Sequence, residues 1–352
     1  MSRHSWIIII TGISMGLLGV LLSVWGNPEN SGICISCFME NSAGALGLHG
    51  NARLQYLRPE LPGFVLGAVL SAFAAGEFRP RGGNAPVLRL FSGLFLIVGC
   101  AIFVGCPIKM LLRLCAGDLT ALIAAAGLVS GVWIGLQLLA RGVDLGPQQE
   151  TNSVNGFLIP LLFVLLFIFV IIPPPFVIAS TEGSSSRHAP VFISLASGLF
   201  IGAIAQRSRF CITGSLRDII LMGKRAPQLA GFAAFAVSAI IVSIATGGMR
   251  VSLYGQPGAH LEHFWSFLGM LLVGWISVMI GGCPFRQLVK AGEGDADAGM
   301  AVAGMFLGGA LVQSWGIAAT AAGVPNSGKV AALAGIAFAL LVSLFFRNRS
   351  TN

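Results

Sequence analysis

Gly282-Cys283-Pro284-Phe285-Arg286 closes an apolar span and runs on into QLVKAGEGD. Earlier in the chain, Gly105-Cys106-Pro107-Ile108-Lys109 closes another and runs on into MLLRLCAGD. The two stretches share Gly-Cys-Pro and a cation two residues after the proline (Lys109, Arg286). They also share a second cation four residues further on (Arg113, Lys290) and a Gly-Asp close (Gly117-Asp118, Gly294-Asp295). Cys106 and Cys283 stand 177 residues apart, and a true duplication carries other landmarks in the same register. It does so here. Cys34-Ile35-Ser36 falls on Cys211-Ile212-Thr213, and Gly127 and Gly131 fall on Gly304 and Gly308. The chain therefore reads as two homologous halves. The register slips only upstream, where Gly12-xxx-Gly16 resembles Gly198-xxx-Gly202 but stands farther from its cysteine, which places an insertion around SVWGNPEN.

Composition fixes the environment of this repeat. Of 352 residues, 55% are hydrophobic and 10% charged, where soluble domains carry roughly a quarter charged. Many runs reach the ~20 apolar residues that a bilayer core demands of a helix, so the chain reads as an all-α polytopic membrane protein. The first apolar run follows Arg3 and His4, yet it exceeds a signal-peptide core and lacks a small-x-small cleavage site, so it is expected to be retained. The net charge of +8 is scattered through loops, which argues for orientation in lipid rather than for nucleic acid.

Hydropathy places full spans at about 5–25, 61–78, 87–105, 118–140 and 156–179, then 188–206, 228–247, 264–282, 297–320 and 330–346. Four short segments, about 35–48, 107–116, 212–223 and 284–293, each open at a repeat cysteine and are too short to cross. They are expected to be re-entrant half-helices. The organisation expected is a first repeat over 1–145, a linker with one span over 146–187, and a second repeat with a C-terminal span over 188–352. One linking span between four-span halves inverts the second half, giving an hourglass of two inverted repeats. With the N-terminus inside, 14 of the 21 cations, among them Arg3, Arg347 and Arg349, fall on the cytoplasmic side, as the positive-inside rule favours. Both termini are then expected in the cytoplasm.

Glycine pairs such as Gly63/Gly67, Gly127/Gly131 and Gly304/Gly308 are expected to let helices approach closely in lipid. Pro173-Pro174-Pro175 is expected to end or kink the linker span. Seven cysteines in such a chain are no disulfide framework. Cys34-x-x-Cys37 alone is a weak redox or metal signal, Gly214 replaces its second cysteine in the repeat, and no histidine pair completes a zinc site. No metal and no cofactor is expected.

Proline after a cysteine suits the first turn of a helix. That places Cys106 and Cys283 at half-helix N-termini, where free N-H groups and the positive dipole end favour an anion. Lys109, Arg113, Arg286 and Lys290 add cations within the following turns, and Arg209 and Arg217 flank Cys211. Ionisable groups at membrane depth are by default functional candidates. The competing reading is that Arg113 with Asp118 and Lys290 with Asp295 only fix the half-helices. A thiol is a weak, polarisable donor suited to a soft anion that must also leave, whereas a thiolate would repel the anion but could attack a sulfane sulfur and carry a persulfide. Candidate substrate-binding residues are therefore Cys34, Cys106, Cys211, Cys283, Lys109, Arg113, Arg286 and Lys290. Cys100 and Cys115 read as packing residues and Cys37 as intermediate.

Together, GICISC, RSRFCITGSLRD, GCPIKMLLRLCAGD and GGCPFRQLVKAGEGD resemble the YeeE/YedE family of bacterial inner-membrane proteins, associated with uptake of sulfur compounds such as thiosulfate. The last stretch is most similar to the selenium-metabolism branch, YedE. The resemblance implies an hourglass-shaped helical protein in the bacterial inner membrane, in which cysteine-bearing short helices meet at a constriction and pass a substrate anion between thiols. It also implies a small soluble sulfur carrier of the TusA type as partner on the cytoplasmic side. The function expected is a transporter or facilitator for a small sulfur- or selenium-containing anion, not an enzyme, and the chain has no GxxxxGK[ST] loop for ATP. The alternative is a membrane sulfur or selenium transferase that forms a cysteine persulfide or selenosulfide and hands it to a carrier. A third reading is a structural anchor for a cytoplasmic partner on the basic loop from Arg207 to Arg225.

Overall fold

Helix follows helix along the chain, broken only where a cysteine, a proline or a glycine interrupts an apolar run. The computed structural model describes residues 3–346, so Arg347 and Arg349, counted in the charge bias, lie outside the described residues. The first half contains α1 (Arg3–Val24), α2 (Ile35–Ala45), α3 (Glu60–Ala74), α4 (Pro86–Phe103), α5 (Pro107–Cys115), α6 (Ala121–Ala140) and α7 (Ser153–Ile171). The second contains α8 (Val191–Ser208), α9 (Ile212–Met222), α10 (Leu229–Ala245), α11 (His263–Met279), α12 (Pro284–Gly292), α13 (Ala296–Ser314) and α14 (Asn326–Phe345). Two-residue strands β1 (Arg81–Gly82) and β2 (Gln149–Glu150) pair antiparallel as a strap between loops. Among the described residues, eight helical segments are long and apolar enough to cross a membrane. The apolar α3 and α10, at 15 and 17 residues, are shorter. The protein is thus an all-α polytopic membrane protein.

The halves interlock. The main partners are α1 with α10, α3 with α8, α4 with α13 and α6 with α11, so each pairing joins one half to the other. Contact order along these pairs gives direction. Leu90 and Leu94 of α4 lie against Gly304 and Gly308 of α13, so these two helices run parallel. The symmetry mates α4 and α11 run antiparallel, with Gly99 against Gly269 and Val273, and Gly269 also against Ile102. Equivalent helices of opposite direction make the repeat an inverted one. Helix α7 packs on α3, α12 and α13, while α14 packs on α4 and α11, so these two last helices of each half occupy different places. Helix α7 ends at Ile171, just before Pro173.

Each short helix has a start and a stop written in its sequence. Cys34, Cys106, Cys211 and Cys283 are all N-cap residues with extended backbone, and proline fills the first turn of α5 and α12. The stop of α5 and α12 is the Gly-Asp close. Gly117 (φ +92°) and Gly294 (φ +89°) turn left-handed, and the next N-H, of Asp118 or Asp295, donates back to the carbonyl of Arg113 or Lys290 at 2.9 and 3.1 Å. Asp295 then caps α13 by accepting from the Ala298 N-H at 2.9 Å. The insertion read around SVWGNPEN is a ten-residue link between α1 and α2, where α8 and α9 are joined by three residues.

The glycine pairs act where helices touch backbone to backbone. A Cβ on Gly304 would lie 2.7 Å from the Leu90 carbonyl carbon and closer still to its oxygen. Gly304→Leu is therefore expected to force α4 and α13 apart and to cost at least the ~1–3 kcal/mol typical of overpacking. Gly50→Ala, with no neighbour within 4 Å, is expected to melt with wild type. Thermal unfolding of both variants in detergent checks this.

Candidate functional site

The N-termini of the short helices converge in two thiol pairs. In the first half the N-H of Ile35, first residue of α2, donates to Cys106 Sγ at 3.3 Å. Cys34 Sγ accepts from the Cys37 N-H at 3.4 Å and lies 3.5 Å from Ser36 Oγ. In the second half Cys211 Sγ lies 3.2 Å from Cys283 Sγ, accepts from the Cys283 N-H at 3.4 Å and lies 3.2 Å from Thr213 Oγ1. All four thiols are free and buried within one continuous apolar core, where α2 touches α12 and α5 touches α9. The hydroxyl after each of Cys34 and Cys211, a repeated feature of the sequence, is thus a partner of its thiol.

A cavity approaches each pair from an opposite end of the bundle. The first, about 310 Å³, is lined by Cys37, Glu40, Arg58, Lys109, Arg187 and the C-terminal Gln313 of α13, among others. The second, about 240 Å³, is lined by Cys211, Arg209, Arg217, Arg286 and Lys290, with Ser277 and Val278 from the end of α11. Because α4 and α13 are parallel and α11 is antiparallel to α4, the ends of α13 and α11 face opposite ways. The arrangement is two cation-lined vestibules with thiols between them.

Of the eight candidate residues, seven fall on this axis. Lys109 is buried, reaches the first cavity and has Cys37 Sγ, at 3.9 Å, as its polar neighbour. Arg286 and Lys290 line the second cavity while pairing with Glu293 at 3.0 Å and Asp295 at 3.3 Å. The Nη1 of Arg286 is buried without a partner among the described residues, so this guanidinium has donor capacity left over.

Arg113 stands apart. It is 1% exposed and lines neither cavity. Its Nε donates to Asp118 at 2.6 Å, its Nη2 to Thr120 Oγ1 at 3.0 Å and its Nη1 to the Phe103 carbonyl at 3.3 Å. Its guanidinium carbon lies 4.4 Å from the centroid of the Phe103 ring.

Two residues of the first vestibule escaped the sequence reading. Arg58, 1% exposed, donates from Nε to Asn41 at 2.9 Å and from Nη1 to Asn27 at 3.1 Å, and sits between the rings of Phe38 and Tyr56. Glu40, on α2 itself, accepts from Gln313 Nε2 at 2.5 Å. An ionisable residue six positions past a repeat cysteine was the signal available for Glu40. Arg58 sits at the foot of an apolar span, and only the fold shows that it turns inward.

The model of the sulphur transport family, the YeeE/YedE family, matches residues 207–348, which hold Cys211, Cys283, Arg286 and Lys290. Cys34, Cys106 and Lys109 lie in the other half, joined to that match by the repeat. No curated protein matches the chain.

Proposed function

We propose that this protein is a facilitator for a small, soft sulfur-containing anion of the thiosulfate type, passed between the Cys34/Cys106 pair and the Cys211/Cys283 pair. The observation that carries the reading is the placement of two thiol pairs, each at half-helix N-termini, between two cation-lined cavities that open to opposite ends. The match of the second half to a sulphur transport family points the same way. Cations concentrate the anion in a vestibule, and dipole ends with free N-H groups replace part of its hydration. Weak S-H donors hold it loosely enough for release.

In this reading the Cys37 side faces the periplasm of a bacterial inner membrane and the Cys211 side the cytoplasm, with both termini inside. The functional unit is two repeats, 1–145 and 188–352, joined by the span within 146–187. Arg209, Arg217, Arg286 and Lys290 receive the anion on the inner side, where a TusA-type carrier takes it up. Selenium compounds form the second substrate class. The rival transferase reading draws on the 3.2 Å between Cys211 and Cys283, close enough for one thiol to take a sulfur atom from the other.

The test is uptake into proteoliposomes of thiosulfate with its two sulfur atoms distinguishably labelled, and of labelled selenite in parallel. Entry of both sulfur labels in their original ratio is the expected result. Entry of the outer sulfur alone would replace transport by atom transfer, and no cysteine-dependent entry of either anion would refute the proposal.

A further inference from the structure

The first thiol pair has a third cysteine beside it that the second pair lacks. Cys37 stands three residues into α2 from the N-cap Cys34, and its own N-H points at Cys34 Sγ. The side chain of Cys37 reaches the first cavity, whereas Cys34 is fully buried behind it. At the equivalent place in the second half stands Gly214, where an added Cβ would meet only Cys211 within 4 Å. The extra thiol is therefore a property of one vestibule.

We propose that Cys34 and Cys37 form an oxidisable dithiol, a modification site through which a disulfide reagent in the first vestibule shuts the thiol relay. Residues one turn apart have Cβ atoms about 5–6 Å apart, and a disulfide needs about 3.5–4.5 Å. The extended Cys34 lies outside the helix proper, so the difference is closed by rotation at the N-cap rather than by unwinding α2. Its sulfur already accepts from the Cys37 N-H at 3.4 Å, which holds it over the first turn of α2. Cys106 also neighbours α2 through Ile35 N-H, but it lies behind the cavity wall with Cys34.

The reaction is two exchanges with a small disulfide, RSSR. The Cys37 sulfur attacks one sulfur of RSSR, forming Cys37-S-SR and releasing RSH. Cys34 then attacks the Cys37 sulfur, forming the Cys34–Cys37 bond and releasing the second RSH. Two thiols are oxidised, one disulfide is reduced to two thiols, and both protons leave on RSH. Lys109 Nζ stands 3.9 Å from Cys37 Sγ, the sulfur that begins the exchange. Once bonded, Cys34 has no thiol to offer an anion, and α2 is tied at its first turn. The side with the second cysteine is the one that would face an oxidising periplasm.

The shut-off rests on the transport reading; the dithiol does not. The purified protein in proteoliposomes is treated with hydroxyethyl disulfide, digested and analysed by mass spectrometry, and labelled thiosulfate uptake is measured before treatment, after it, and after reduction. The expected result is a Cys34–Cys37 linked peptide, a loss of uptake of at least about tenfold that reduction reverses, and full resistance of Cys37→Ala to the reagent. A linkage of Cys34 to Cys106, a stable mixed disulfide at Cys37 alone, or no oxidation of Cys34 would overturn the dithiol. Inhibition of Cys37→Ala equal to that of wild type would overturn the switch. If untreated wild type shows no uptake, the transport reading fails while the linked peptide still decides the chemistry.

Discussion

Cys283→Ala is expected to lower thiosulfate uptake to about one hundredth of wild type or less, a loss of ~2.7 kcal/mol in the passage step, with the fold intact. Cys283 Sγ faces Cys211 Sγ at 3.2 Å, and both sit at the N-terminus of a short helix where, among the described residues, the other side-chain donor is Thr213 on Cys211. On the proposed transport reading, removing that sulfur leaves an apolar methyl where a partly dehydrated anion needs a donor. The structural cost is small, because only one buried sulfur atom is lost, roughly 1 kcal/mol or a little more. Cys283→Ser keeps a donor and is expected to retain part of the activity, since a hydroxyl is a harder, less polarisable partner. Cys115→Ala, on the same kind of short helix but off the axis, is expected to transport as wild type. Uptake and detergent melting curves on the three variants separate the cases. Wild-type uptake by Cys283→Ala would mean that the anion passes without the inner pair.

The repeat in the sequence exposed most of this architecture, because the residues that stop and start helices are few in kind and hard to replace. Proline after cysteine and glycine before aspartate place the ends of α5 and α12 within one residue of the segments read from the sequence, 107–116 and 284–293. The inversion followed from span parity and is visible in the antiparallel packing of α4 against α11. The glycine pairs point to close contacts but not to partners: nothing in the spacing of Gly127 and Gly131 reveals that they meet Phe267 and Leu271 of the other half. Vestibule walls were the least legible. Gln313 reaches Glu40 from the far end of α13, and Arg58 is held by Asn27 of the inserted loop, so both depend on contacts between distant segments. Cation spacing alone also treated Lys109 and Arg113 alike, and only burial and partners distinguish them.

That distinction yields the largest effect expected on stability. Asp118→Ala is expected to destabilise the protein by about 3–5 kcal/mol, the range for removing one partner of a buried ion pair. One carboxylate accepts from Arg113 Nε at 2.6 Å, from the Thr120 N-H at 2.9 Å and from Thr120 Oγ1 at 2.5 Å. Without it, the 1%-exposed guanidinium keeps only neutral acceptors and the Phe103 ring. A charge so placed is costly wherever it cannot reach water. Arg113→Met combined with Asp118→Ala removes both charges, and it is expected to recover most of the lost melting temperature, since the penalty belongs to the unpaired ion rather than to the missing pair. The double variant also decides what Arg113 is for. If the arginine holds the anion, restored folding will leave uptake as low as in a Lys109→Ala variant. If it only anchors the end of α5 to the turn at Gly117, uptake will return with the fold. The geometry favours the second outcome: the short bonds of Arg113 go to Asp118 and Thr120 in the turn after α5 and to the Phe103 carbonyl at the end of α4, and the longest, 3.5 Å, goes to the Gly258 carbonyl. Lys109, one turn earlier, lines the cavity beside Cys37, and on the proposed transport reading it is the cation expected to meet the anion.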